Sequence, residues 1–179
     1  WLVPRLGEFH RLHPEVDLWL LTTDETPDMA TQTIDIAVRD DLSAQAECSF
    51  RVLLEDRLYP ACHPSLLSQA AAERTTLHGE REMDWSHWQV QGGADVGQQS
   101  QGLNFSDLGL LLDAACQGLG IALVSQLLAE QARNSGALQP LVEQTIRGAN
   151  WAWLIHRDSE HEPLTRSFCQ WLESALHHK

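Results

Sequence analysis

Apolar residues recur at two different spacings along the first part of the chain, one typical of a helix and one typical of a strand. The segment 2–12 carries apolar residues at helical spacing. The segment 16–21 alternates in the manner of a strand and is followed by Thr22 and Thr23. An acidic stretch typical of a short helix separates it from a second apolar strand at 34–38. This helix–strand–helix–strand order predicts an α/β fold with a parallel sheet and crossover helices.

The rest of the chain continues this order of short apolar stretches and longer amphipathic ones. Strands are predicted for SFRVLL, RLYPAC, RTTLHG, IALV and NWAWLIH. Helices are predicted for HPSLLSQAAAE, for the segment from Ser106 through DLGLLLDAACQ, for QLLAEQARNS with Ser125 as its cap, and from about Glu162 to Leu176. The stretch DWSHWQVQGGADVGQQSQG is polar and rich in Gly and Gln, so it is predicted to be mostly loop.

Two glycines in the stretch GLGIALVS pose a choice between a phosphate-binding loop and a tight corner. A dinucleotide fingerprint needs a strand, then the glycines, then a helix whose N-terminus holds the phosphate. Here a helix comes first and a strand follows. We therefore predict that Gly118 ends the helix in the left-handed conformation and that Gly120 allows close packing as the strand begins.

The net charge argues against one class of partner. The sequence has 12 basic and 25 acidic residues, which gives a formal net charge of −13. Nucleic-acid binding depends on neutralising phosphates with Lys and Arg, so this chain is not expected to contact DNA itself. Because the chain begins at Trp1, we expect further sequence upstream.

The cysteines indicate neither a metal site nor a redox motif. Cys48, Cys62, Cys116 and Cys169 are widely spaced and never form a Cys-x-x-Cys pair. Cys116 lies in an apolar run, where a small buried thiol is expected. No stretch approaches the roughly 18 apolar residues of a membrane span, and no signal peptide is seen. We expect no metal, no cofactor, no membrane contact and a cytoplasmic location.

Catalytic motifs do not stand out either. The sequence has no Gly-x-Ser-x-Gly elbow and no His-Glu-x-x-His helix. Cys62 and His63 are adjacent, but neighbours on a strand point to opposite faces and cannot easily act as nucleophile and base. We therefore expect that the chain has no catalytic residues and that the protein is not an enzyme.

Polar residues at the predicted strand ends form a candidate site for a small molecule, because ligands of open α/β sheets bind at the carboxyl ends of the strands. The candidate effector-binding residues are Thr22, Thr23, Arg39, Asp40, His78, Asn104, Phe105, Ser106, Asp107 and Trp153. Ser106 is predicted to be an N-cap, so that the first N–H groups of its helix suit a carboxylate or another small anion. Alternatively, Ser106 only caps its own helix.

Several of these residues also have purely structural interpretations. Arg39 either pairs with a ligand carboxylate through two hydrogen bonds or pairs with the neighbouring Asp40 or Asp41. His78 precedes a glycine and is more typical of a loop histidine than of a functional group. Trp85 and Trp88 are spaced for core packing, with an aromatic lid over a ligand as the alternative.

Several segments in order resemble one known family. WLVPRLGEFHRLHPEVDLWL, IDIAVRD, LLEDRLYPACHPSLL and FSDLGLLLDAACQGLGIALVSQLLAEQARNSGALQPL are similar to successive segments of the effector-binding domain of LysR-type transcriptional regulators. TLHGEREMDWSHW resembles the subgroup of glycine-cleavage activators, near the regulators of D-serine and β-lactamase genes. The resemblance covers nearly the whole chain.

The resemblance implies two Rossmann-like lobes with the type II periplasmic-binding-protein-like fold. Lobe I would be residues 1–58 plus 156–179, and lobe II residues 59–155. It also implies an upstream winged helix-turn-helix domain that contacts the DNA, a homodimer or homotetramer, and RNA polymerase as a further candidate partner. The effector would be an amino acid or a small carboxylate bound between the lobes. The alternative is an extracytoplasmic solute-binding protein of a transporter, which shares the fold.

The same resemblance suggests roles for site residues. Ser106 and backbone N–H groups would hold the carboxylate of the ligand. Asp40 or Asp107 would hold its amine. The pocket for its side chain would be shaped by Trp153, Phe105 or a threonine. The family's first strand is not in this sequence, and a stretch with a Pro and a Leu is missing between SLLSQ and RTTLH. RDDLSAQAECSF replaces a Gly-rich turn, and the added carboxylates favour a cationic or zwitterionic ligand over a pure anion.

Overall fold

The computed structural model describes residues 1–23, 25, 27–29, 34–40, 47–80 and 84–177. The strands are β1 (Ala37–Arg39), β2 (Cys48–Cys62), β3 (Thr76–Gly79), β4 (Gly102–Phe105), β5 (Ile121–Ser125), β6 (Gln139–Pro140) and β7 (Ile146–His156). The α-helices are α1 (Leu6–Leu12), α2 (Trp85–Val90), α3 (Leu108–Cys116), α4 (Glu130–Asn134) and α5 (Pro163–His177). Short 3-10 helices cover Val3–Arg5, Pro64–Leu66, Ala71–Glu73 and Arg157–His161.

The chain divides into two compact units. Unit 1 comprises 56–149 together with Trp1, and unit 2 comprises 2–55 and 150–179. The long strands β2 and β7 each continue from one unit into the other. The lobe boundaries given by the family resemblance stay a prediction.

Unit 1 is organised around a mixed sheet. β2, β5, β3 and β4 lie side by side in that order; β5, β3 and β4 are parallel, whereas β2 is antiparallel to β5. The apolar side chains of β5 are completely buried, as the uninterrupted run IALV requires. Trp88, Leu77 and Leu111 pack into the same core from α2, β3 and α3.

The corner between α3 and β5 has the predicted form. Gly118 has a φ of +76°, and its N–H and that of Leu119 bond to the carbonyls of Ala115 and Ala114. A Cβ atom on Gly120 would lie 2.3 Å from the carbonyl oxygen of Thr75, so the strand enters the sheet at a distance that only glycine allows.

Unit 2 contains a smaller apolar cluster and an aromatic one. Phe9 of α1 is buried, and its ring lies 4.9 Å from that of Phe168 and 5.3 Å from that of Trp171, both on α5. These residues explain why the predicted last helix is amphipathic. β1 pairs antiparallel with β7, and Met29 packs against it from the preceding segment.

The predicted strand at 16–23 is wrong. This segment has no strand hydrogen bonds among the described residues; the N–H of Val16 instead closes a turn on the carbonyl of His13. The side chain of Trp19 is 90% exposed. An alternating pattern forms a strand only where a neighbour takes up its backbone groups, and no described segment does so here.

Other strand predictions needed smaller corrections. The strand expected at 34–38 begins only at Ala37 and continues to Arg39. SFRVLL and RLYPAC form the single strand β2, which continues through the two acidic residues between them. The acidic stretch expected to be helical lies partly outside the described residues.

Three helix predictions also changed. HPSLLSQAAAE forms two 3-10 turns instead of one helix, the first capped by the side chain of His63 on the N–H of Ser65. The segment expected to be mostly loop contains α2. Ser125 does cap a turn, since its Oγ accepts from the N–H of Leu128, but α4 begins only at Glu130.

Candidate functional site

The carboxyl ends of the parallel strands of unit 1 bring several predicted site residues to one edge. β3 and β4 pair with His78 beside Asn104 and Gly79 beside Phe105. Ser106 and Asp107 follow Phe105 directly, before α3. Because the strands are parallel neighbours, the pairing itself places His78 and the segment 104–107 together.

The N-cap of α3 is Asp107, not Ser106 as predicted. Asp107 has extended backbone angles, and its Oδ1 accepts a hydrogen bond from the N–H of Leu110 at 2.8 Å. The helix starts one residue later than the sequence suggested, so the carboxylate occupies the capping position. Ser106 is exposed and its hydroxyl is not used in the cap.

This change of cap alters the electrostatics of the edge. The N-terminus of a helix attracts anions through its unpaired N–H groups and its dipole. Asp107 already places a negative charge there and takes up one of those N–H groups. A purely anionic ligand is therefore less favoured than one that also carries an ammonium group.

His78 lies at the end of β3 with its imidazole partly buried. Its Nε2 atom is buried and has no hydrogen-bond partner among the described residues. A Cβ on Gly102 would come within 3.2 Å of its Cδ2 and within 1.9 Å of the carbonyl oxygen of Thr76. Glycine at 102 thus lets β4 pair closely with β3 beside the imidazole.

Sequence reasoning missed a buried polar pair at the end of β5. Asp56 is 3% exposed and Ser125 is 2% exposed. The Ser125 hydroxyl donates to Oδ2 of Asp56, while Oδ1 accepts from the N–H groups of Arg57 at 2.8 Å and Leu127 at 3.3 Å. In the sequence Asp56 is the middle one of three consecutive charged residues, Glu55, Asp56 and Arg57, and nothing distinguishes it from its neighbours.

The tryptophans of α2 belong to the core. Trp85 is 3% exposed and donates from its indole to the carbonyl of Leu77 at 2.9 Å. Trp88 is fully buried and donates to the carbonyl of Ala94 at 2.8 Å. Their contacts match the structural interpretation, and they hold α2 against the end of β3.

In unit 2, Arg39 connects β1 to the turn that contains the predicted threonines. Its Nη1 donates to the backbone carbonyls of Thr23 at 3.2 Å and Glu25 at 2.9 Å. Neither sequence-based alternative for Arg39 included these contacts. Thr22 and Thr23 are exposed, and Asp40 follows β1 directly and is half-buried. Asp41 lies outside the described residues.

Trp153 lies on the other face of the same pair of strands. The register places Arg39 opposite Ala152 and Val38 opposite Trp153. Since side chains alternate along a strand, Trp153 and Arg39 point to opposite faces. The indole of Trp153 donates to Glu173 of α5 at 3.0 Å. The structure thus does not bring Trp153 together with Arg39.

The adjacent Cys62 and His63 do not form a nucleophile and base pair. Burial raises the pKa of the Cys62 thiol, so the reactive thiolate is disfavoured. The Nδ1 of His63 lies 2.8 Å from the Oγ of Ser65 in the following turn. The described part of the chain contains no cluster of three metal-binding side chains.

No helix among the described residues has the length and apolar character needed to cross a membrane.

Comparison with known sequences identifies the family. The model of the LysR substrate binding domain matches residues 1–177. The chain belongs to this family. The glycine cleavage system transcriptional activator of Escherichia coli K12 is 28% identical over 181 residues, covering 96% of this chain and 59% of the activator. The transcriptional activator AmpR of Pseudomonas aeruginosa is 27% identical, with 96% of this chain and 60% of the activator covered.

Solved structures show the fold. The effector domain of AmpR from P. aeruginosa superposes with a TM-score of 0.79 at 24% identity, covering 99% of this chain and 89% of that domain. The AmpR effector-binding domain from Citrobacter freundii superposes with a TM-score of 0.78 at 24% identity, and the match covers 99% of this chain and 92% of that domain. The predicted type II periplasmic-binding-protein-like fold is confirmed.

These findings also decide between the two functional classes. The curated relatives are transcriptional regulators, neither solute-binding proteins of transporters nor enzymes. The chain is thus an effector-binding domain of the LysR type. It spans about three fifths of the length of the curated relatives it matches.

Proposed function

We propose that this domain senses a small metabolite for a bacterial transcriptional regulator and binds it at the strand ends. The observation that carries the proposal is the family match along residues 1–177. We infer no catalytic activity, which the protonated state favoured for the Cys62 thiol supports. Binding would shift the population of domain conformations and so change the geometry of the attached DNA-binding parts.

The ligand we propose is an amino acid, because the edge of unit 1 combines hydrogen-bond donors with a carboxylate. The Ser106 hydroxyl and the first N–H groups of α3 would donate hydrogen bonds to the ligand carboxylate. Asp107 uses Oδ1 for the cap, which leaves its second oxygen to accept from the ligand ammonium. The formal net charge of −13 favours a zwitterion over a pure anion in the same way.

The remaining predicted residues would complete the site. Asn104 and His78 offer side-chain nitrogens beside Ser106, and Phe105 offers an apolar wall. In unit 2, the threonine hydroxyls and Asp40 are the proposed contacts, and Trp153 keeps its proposed role in shaping the pocket.

The full-length protein would contact DNA through residues outside this chain and would act as a homodimer or homotetramer in the cytoplasm, with RNA polymerase as a candidate partner. The length of the curated relatives beyond the matched part supports a further domain. The excess of acidic residues supports the absence of DNA contact by this domain.

Thermal unfolding with candidate ligands tests the proposal. The panel contains glycine, L-alanine, L-serine and D-serine, with acetate and succinate as carboxylates without an amine. A ligand at a hundred times its dissociation constant stabilises by about 2.7 kcal/mol, which corresponds to about 5–10 °C for a domain of this size. We expect a shift with at least one amino acid and none with the two carboxylates.

Two variants locate the site. Ser106→Ala should abolish the shift while leaving the unliganded midpoint unchanged, because Ser106 does not cap α3. Asp107→Asn keeps a capping oxygen but removes the charge, so it should weaken amino-acid binding and allow succinate to bind. Ser100→Ala, at another exposed serine of unit 1, is the control. A flat response to every amino acid in the panel would contradict the proposed ligand class.

A further inference from the structure

The turn that carries Thr22 and Thr23 is held in place without a strand. Within the described part of 16–36, neither helix nor strand is present. The Oγ1 of Thr23 accepts a hydrogen bond from the N–H of Glu25 at 3.1 Å, which closes a local turn. Such a local bond shapes the turn but does not connect it to the rest of unit 2.

The connection is made by the side chain at the end of β1. Ala37 and Arg39 share one face of β1, and Ala37 packs with Met29 and Leu154 in a small apolar cluster. Arg39 therefore points to the side of β1 on which Met29 packs against Ala37. Its Nη1 then reaches the carbonyls of Thr23 and Glu25.

The donor geometry of Arg39 limits what else it can bind. Nη1 carries two hydrogens, and two backbone carbonyls lie within 3.2 Å of it. A carboxylate bound end-on would need a hydrogen from Nη1 and one from Nη2. A carboxylate bound side-on would need Nε, and that atom is buried. Both two-point modes of carboxylate binding are thus closed to a ligand arriving from solvent.

We propose that Arg39 is a positioning residue of the effector site and does not itself bind the effector. Its guanidinium fixes the turn at 22–25, so that the hydroxyls of Thr22 and Thr23 are presented in one orientation. This inference rests on the proposed function for the role of the threonines. Its structural part, the anchoring of the turn, can be tested without any effector.

Hydrogen exchange measured by mass spectrometry on the 179-residue chain tests the anchoring. Arg39→Met removes two charge-assisted hydrogen bonds and should speed the exchange of amides at 22–29 by at least about tenfold, the factor that corresponds to losing one of them. Arg39→Lys should restore part of the protection, because an ammonium can donate to both carbonyls. Amides of β3 and β5 in unit 1 should exchange at wild-type rates in both variants.

Arg11→Met is the matched control. Arg11 is also in unit 2 and also donates to a backbone carbonyl, that of Gly7, but the bond stays within α1. The Arg11→Met variant loses one positive charge, as Arg39→Met does, and should leave the exchange rates of the amides at 22–29 unchanged. Faster exchange at 22–29 in this variant as well would assign the effect to charge alone and overturn the proposal.

The second measurement compares the affinity of Arg39→Met and Arg39→Lys for the panel amino acid that shifts the wild-type midpoint most. A positioning role predicts weaker binding by Arg39→Met and partial recovery in Arg39→Lys, in parallel with the exchange rates. Unchanged exchange at 22–29 in Arg39→Met overturns the anchoring whatever the panel shows. If exchange rises but no amino acid binds the wild-type chain, the anchoring stands and the proposed ligand class fails.

Discussion

The predicted site residues of unit 1 and those of unit 2 are positioned in different ways. In unit 1, backbone pairing of β3 with β4 sets His78 beside Asn104 and fixes where the following helix begins. In unit 2, Thr22, Thr23 and Glu25 belong to none of the strands formed by the described residues, and Arg39 donates to the backbone carbonyls of Thr23 and Glu25. The residues of unit 1 are positioned by the sheet, whereas in the described part of unit 2 the Arg39 guanidinium links Thr23 and Glu25 to β1.

This difference has an energetic consequence. Strand pairing involves many backbone bonds at once and is supported by a buried core, so one substitution rarely displaces a strand end. A turn anchored by one side chain has local stability of the order of that contact. We expect the strand-end residues of unit 1 to be held rigidly, and Thr22 and Thr23 of unit 2 to be held with a small, adjustable free energy.

The largest effect that would test this comparison concerns the buried pair at the end of β5. Asp56→Ala leaves the buried Ser125 hydroxyl and two partly buried N–H groups without their acceptor, so we expect a loss of about 3 kcal/mol in unfolding free energy. Thr23→Ala removes one exposed turn bond and should cost less than about 1 kcal/mol. Urea unfolding measures both.

Asp113→Ala is the control for Asp56, because it removes an exposed carboxylate from α3. It should change the unfolding free energy by no more than about 0.5 kcal/mol. If Thr23→Ala proved as destabilising as Asp56→Ala, the contrast between a sheet-built and a tethered half would be wrong.

An effect of intermediate size is expected from adding a Cβ to a glycine in each unit. Gly120→Ala would force its Cβ to within 2.3 Å of the Thr75 carbonyl, and we expect it to destabilise unit 1 by about 2 kcal/mol. Gly7→Ala in α1 of unit 2 meets nothing within 4 Å and should stabilise by about 0.5–1 kcal/mol, since glycine weakens a helix interior. The midpoints of the unfolding curves of the two variants should therefore shift in opposite directions from the wild-type midpoint. A Gly120→Ala variant as stable as the wild type would mean that β3 and β5 can separate to make room for the Cβ.

Much of unit 1 could be predicted from the sequence because its signals are local. The corner at Gly118 and the buried strand β5 follow from apolar runs and glycine positions, and His78 was predicted at a strand end. The strand β4, which brings 104–107 beside His78, was not predicted. The cap of α3 could not be decided, because Ser106 and Asp107 are both good capping residues and the start of the helix depends on its packing.

The half in unit 2 could not be predicted for a different reason. The segment 16–23 has the alternation of a strand, but a strand also needs a neighbour, and the pattern does not contain that information. The contacts of Arg39 and the pair of Asp56 with Ser125 join residues far apart in sequence, 69 positions for the latter. Only the folded chain brings such partners together.

The smallest effect concerns the cysteines. Burial, with a contribution from Glu173, raises the pKa of Cys169 in unit 2 from 9.0 to about 11. The folded state therefore retains the thiol proton more strongly than the unfolded state. Its contribution to stability is complete below pH 9 and is lost as the pH rises through about 11.

We accordingly expect the unfolding free energy to fall above pH 9, and Cys169→Ala to make that fall shallower. In the native chain at neutral pH, iodoacetamide should label the partly exposed Cys116 before Cys169. Peptide mass mapping gives the order, and early labelling of Cys169 would show that α5 opens readily.

The assembly of unit 2 from both ends of the chain bears on how the protein is made. Apart from Trp1, unit 1 is a continuous stretch, so its sheet is almost complete before the last segment leaves the ribosome. Residues 2–55 emerge first but wait for 150–179 to supply β7 and α5. During that interval Phe9 lacks its aromatic partners on α5. A nascent chain halted before residue 150 would therefore expose these apolar side chains to chaperones while the other unit is already folded.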